Sequence, residues 1–151
     1  MNINKFQKKM FDRLIAGERV IYSETPEGQV MLTNGYEAYV FFKNEICLNL
    51  DMCQKVNDLS KVIEPSGKDR TVERSNRIYN SNGRICHELV SEDGMSVWVQ
   101  EKLLKLFDDC CTFKAHSPAD RILVSDPHGR VIAVVLPIRL SPEVSHEPES
   151  N

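Results

Sequence analysis

A chain of 151 residues, 41% apolar and 27% charged, has the make-up of one folded globular domain and excludes a disordered or low-complexity polymer. No apolar run nears the roughly 18 residues that a spanning helix needs, and the opening MNINKFQKKMF lacks the apolar centre of a secretory leader, so a cytoplasmic protein with no membrane contact is expected. A formal net charge of −3 supplies no global attraction to nucleic acid, which leaves the distribution of charge to decide.

Residues 4–16 read as the first helix, with Asn2 or Asn4 able to cap it and Gly17 ending it. At 100° per residue, Ile3, Phe6, Met10, Phe11, Leu14 and Ile15 gather on one side. Lys5, Lys8, Lys9 and Arg13 gather on the other, with Asp12 the sole acid among them. Such a face reads either as a solvated surface or as a contact for a phosphate backbone.

Strands follow at 20–24, 30–33 and 37–43. They are separated by Thr25-Pro26-Glu27-Gly28-Gln29 and by Asn34-Gly35, the stronger hairpin signal. Residues 46–50 add an apolar segment, and 51–59 read as a helical turn or a loop. The polar stretch 64–70 looks like a joint between two halves. Segments 71–79 and 84–90 then flank Asn80-Ser81-Asn82-Gly83, a second Asn-Gly hairpin, and Ser91-Glu92-Asp93-Gly94 turns the chain again.

Residues 96–140 carry the clearest pattern: a strand or lead-in, an amphipathic helix at 99–108, then three strands. Asp126-Pro127-His128-Gly129 is a turn between the β-branched runs 121–125 and 130–138, because Pro presets one φ and Gly tolerates a positive one. The tail 141–151, SPEVSHEPESN, has no apolar period and is expected to be disordered.

The order helix, strand, strand, turn, strand, ending in Val134-Val135-Leu136-Pro137-Ile138-Arg139-Leu140, resembles the C-terminal end of the bacterial DNA sliding clamp, the β subunit of the replicative polymerase. The likeness covers about the last third of the chain. It implies an α+β fold: a single clamp-like domain over residues 1–140, with two helices on antiparallel strands and pseudo-duplicated halves at about 1–64 and 71–140. The duplication rests on element order, since no residue-level repeat links the halves. One such domain cannot encircle DNA, so the resemblance also implies a homo-oligomer.

In that family inward-facing helices line a DNA channel, and a pocket near the C-terminus takes short peptides from replication proteins. Carried over, the resemblance assigns DNA contact to Lys5, Lys8, Lys9 and Arg13 and, on the second helix, Lys102 and Lys105. It assigns partner binding to Val134, Val135, Leu136, Pro137, Ile138 and Arg139, which equally form an edge-ending core strand. The second helix departs from a DNA-lining pattern, because Glu101, Asp108 and Asp109 outnumber its lysines. The chain also runs eleven residues past Leu140, enough to lie across the pocket.

No phosphate loop, His-x-x-x-His pair or nucleophile elbow stands in the sequence, so a non-enzymatic protein without cofactor is expected. Asp126 and His128 read as turn residues and Trp98 as a core residue. The five cysteines, with no zinc spacing among them, read as reduced, small buried hydrophobes. Two functions fit: a sliding-clamp-like protein of DNA replication and processivity, or a stand-alone clamp-fold protein-binding module that leaves DNA alone.

Overall fold

The computed structural model describes residues 3–140; the expected disorder of 141–151 and a cap from Asn2 fall outside them. Helix α1, Ile3–Ile15, matches expectation within a residue. It ends in a Schellman turn: Gly17 takes φ 77°, its N–H donates to Leu14 O, and that of Glu18 donates to Arg13 O. The buried residues are Phe6, Gln7 and Met10, one stripe at i, i+1, i+4. Phe11 and Ile15, expected on the apolar side, stand in solvent at 44% and 68% exposure. Only the stripe centred on Phe6 and Met10 meets the sheet, and each step of 100° carries a side chain off it.

Ten strands follow among the described residues: β1 (Ile21–Glu24), β2 (Gln29–Thr33), β3 (Glu37–Phe42), β4 (Gln54–Lys55), β5 (Arg70–Ser81), β6 (Arg84–Ser91), β7 (Ser96–Gln100), β8 (Thr112–Ala115), β9 (Ile122–Ser125) and β10 (Val131–Val135). They form one sheet in the order β4-β1-β2-β3-β10-β9-β8-β5-β6-β7. All neighbours are antiparallel except β4, which lies parallel to β1 over two residues, so the sheet is mixed where an antiparallel one was expected. The uncertain segment 51–59 resolves into a 3₁₀ turn, Leu50–Met52, followed by that short edge strand. Beyond β10, an isolated bridge between Ile138 and Trp98 carries the chain to β7.

The second helix, α2, is only Glu101–Leu104, where 99–108 was expected. Val99 and Gln100 are committed to β7, paired with His87 and Cys86, so no helix can start before them. After Leu104 the backbone tightens to i→i+3 bonds, Leu106 N to Leu103 O and Phe107 N to Leu104 O. The apolar residues are buried all the same, at Leu103, Leu104, Leu106 and Phe107.

The central order β1-β2-β3-β10-β9-β8 has a helix before each triplet: α1 precedes β1-β2-β3, α2 precedes β8-β9-β10, and β3 pairs antiparallel with β10. The helical segments meet on one face, where Phe6 stacks on Tyr39 (3.8 Å between ring centroids) and contacts Phe107 (5.6 Å). The opposite face buries Met31, Ala38, Val40, Leu123 and Val134 under Leu59 and Ile63, in the segment that leads into the stretch 64–70. Arg121 pins this segment by donating to Val62 O (2.8 Å) and to Glu64 O. Each face thus has its own core, and the whole is α+β.

Candidate functional site

On α1, the expected DNA-contacting cations are mostly engaged within the chain. Lys8 Nζ lies 2.7 Å from Asp12 Oδ2, and Arg13 Nη1 lies 2.7 Å from Glu18 Oε2. Lys9 pairs with Glu37, a buried carboxylate that also accepts from Asn34 Nδ2 at 3.1 Å. Lys9 therefore compensates a buried charge at the start of β3. Lys5 is exposed at the start of the helix.

Lys102 and Lys105 do not sit on a DNA-length helix, because α2 is a single turn. Lys105 pairs with Glu101 at 3.3 Å, and the other oxygen of Glu101 lies 3.0 Å from His87 Nε2. Those two partners, His87 foremost, hold the Glu101 carboxyl below its ordinary range. Lys102 instead lines a cleft of about 230 Å³ with Gly83, Arg84 and Ile85 at the β5–β6 turn.

The C-terminal stretch divides. Val134 and Val135, expected to bind a partner, are buried inside β10 between β3 and β9. Central strands bury both faces, which the near-continuous apolar run already implied. Leu136 is 44% exposed, Pro137 and Ile138 are half-buried, and Arg139 is exposed. Leu136 N donates to the carbonyl of the exposed Tyr36, and Ile138 N to that of Trp98. The accessible surface here is Leu136 to Arg139 with Tyr36.

Two features escaped the sequence reading. One is a groove of about 410 Å³ between α1 and residues 47–52, lined by Phe11, Leu48 and Met52. Gln7 builds it, donating from Nε2 to Glu45 O (2.7 Å) and accepting at Oε1 from Cys47 N (2.6 Å) and Leu48 N (3.0 Å). The exposure of Phe11 was the missing signal.

The other is the bulge and the buried carboxylate network of the β5–β6 hairpin, whose turn the sequence marks. That turn has positive φ at Asn82 (50°) and Gly83 (79°), as an Asn-Gly two-residue turn requires. Opposite one another stand Arg74 and Leu89, then Ile78 and His87, so β5 spends two extra residues in a bulge. Glu88 explains it: its buried carboxylate accepts from Ser75 Oγ (2.7 Å), Arg77 Nη1 (3.0 Å) and Ser96 Oγ (2.6 Å). The Arg77 guanidinium also lies 5.7 Å from the Trp98 ring centroid. Trp98 is thus a half-buried edge residue rather than a core one.

Asp126 caps its turn, accepting from the backbone N–H of His128 and of Arg130 (both 3.0 Å). Of the cysteines, Cys86 alone is fully buried, and burial pushes its thiol up; Cys47 and Cys110 are exposed. Among the described residues no three His, Cys, Asp or Glu side chains gather as metal ligands. Comparison with family models, curated proteins and solved structures returned no match.

Proposed function

We propose that the chain is a non-enzymatic, sliding-clamp-like protein of DNA replication that works by holding partners and assembles from several copies. The observation that supports this reading is the repeated order of a helix and three strands, joined through β3 and β10, with both helical segments on one face. On this reading the halves are structural duplicates, and Leu136 to Arg139 form the protein-binding surface. A single domain of 151 residues cannot surround a duplex, so assembly is part of the proposal. Sedimentation at micromolar concentration, with and without duplex DNA, tests it. A multimer that co-sediments with DNA is expected, and a monomer indifferent to DNA overturns it.

The pairing of Lys8, Lys9 and Arg13 with acids of the same chain favours a second reading, a clamp-fold module that binds protein and leaves DNA alone. The same sedimentation series separates the two.

A further inference from the structure

We infer that the β5–β6 hairpin is a two-stranded ribbon that contacts duplex DNA, with Arg74 and Arg84 as its principal cations. The inference does not depend on the clamp reading. Residues 74–87, RSNRIYNSNGRICH, hold three arginines and a histidine and no acid, in a chain whose net charge is −3. Arg74 and Arg84 are exposed and make no ion pair among the described residues. Three acids around the base of the hairpin are engaged, Glu88 by Arg77 and two serines, Asp93 by Arg70 at 2.9 Å, and Glu101 by His87 and Lys105, while Asp108 and Asp109 share a cleft with Glu73 and Arg74. Glu73 is the one acid on β5 itself, immediately before Arg74. Lys102, beside Arg84 in the cleft at the turn, adds a further cation.

Shape agrees with charge. β8 pairs with β5 only from Arg70 to Val72, so β5 has a free outer edge from Glu73 onward among the described residues. β7 pairs with β6 only from Cys86 to Val90, which leaves the turn end flanked by no other strand. From Arg74 to Ser81 the ribbon extends about 26 Å at roughly 3.3 Å per residue. Two strands about 4.8 Å apart fit a B-DNA major groove about 12 Å wide, whereas the deep, narrow major groove of an RNA duplex does not admit them. Arginine neutralises phosphate and reads guanine, and asparagine reads adenine; the ribbon presents Arg74, Arg84, Asn76, Asn80 and Asn82. The bulge held by Glu88 turns the ribbon relative to the sheet. Partial apolar exposure at Ile78 and Ile85 suits contact with thymine methyl groups.

The test is fluorescence anisotropy of a short DNA duplex titrated with the full chain across a salt series, with R74A/R84A and K5A/K8A as variants. Wild type is expected to bind with an affinity that falls with salt. R74A/R84A should lose roughly ten- to a hundredfold at about 0.1 M salt, and its log–log salt slope should flatten by about two. K5A/K8A should lose much less. Unchanged thermal melting of R74A/R84A checks that its fold is kept. The inference is overturned if wild type does not bind duplex DNA, if R74A/R84A binds as wild type does, or if an RNA duplex is bound as tightly.

Discussion

Replacing Phe6 by Ala tests how the two halves are joined. The Phe6 ring is fully buried, stacked on Tyr39 of the first half and touching Phe107 of the second. Truncating a buried Phe removes its transfer free energy and leaves a cavity, at a cost of about 3–5 kcal/mol. For a domain of this size each kcal/mol moves the melting midpoint by roughly 2–4 °C, so a drop of about 6–20 °C is expected. Phe11, five residues on in the same helix, is 44% exposed, and Phe11→Ala should cost less than about 1 kcal/mol. Urea unfolding followed by far-UV circular dichroism and by Trp98 fluorescence measures both variants. The probes should report one coincident transition, because the Phe6 contacts tie α1 to both triplets. Equal costs for the two variants, or separate transitions for the two probes, would refute the reasoning.

The other predictions concern single contacts. Arg121→Ala removes the donors to Val62 O and Glu64 O and should cost about 1–3 kcal/mol, with faster proteolysis within residues 56–69 as the direct readout. Gln7→Ala strands three hydrogen-bonding groups at residues 45–48 and should cost about 2 kcal/mol, while Cys47 becomes more rapidly alkylated. The Glu101 carboxyl is lowered chiefly by His87 and then by Lys105, so its contribution to stability is present above the unfolded carboxyl value and is lost as pH falls through the folded one. Glu101→Gln should therefore flatten the acid limb of the stability–pH profile, and an unchanged limb would remove this contact from the account.

Much of the architecture was legible because local chemistry and tertiary structure agree. Gly17 stops α1, Asn82-Gly83 turns the β5–β6 hairpin, and Asp126 to Gly129 turn β9 into β10, each by backbone preferences that need no long-range partner. The second helix was misread because Val99, Leu103 and Leu104 satisfy a helical period, while β6 claims Val99 and Gln100 as strand residues. Only the register with His87 and Cys86, twelve and fourteen residues earlier, decides between those states. The loop between β2 and β3 runs over 34–36, as the expected strand limits left it, and Asn34 Oδ1 fixes it by accepting from the N–H groups of both Tyr36 and Glu37.

The candidate surfaces were less legible, since charge alone does not tell which cations are engaged. Lys9 finds Glu37, twenty-eight positions away in sequence, and Val134 and Val135 vanish between strands from both halves. The hairpin arginines drew no attention because Arg74 and Arg84 lie in segments that read only as strands flanking an Asn-Gly turn. Their significance comes from what pairs beside them in the sheet.

Retention on DNA circles tests the proposed function most directly. Dilute protein is assembled on closed circular DNA, washed in high salt, and the circle is then cut. A clamp-like multimer surrounding the duplex is predicted to stay on the closed circle and to leave once the DNA has ends. Equal loss from circular and linear DNA would contradict encirclement, and with it the clamp-like function.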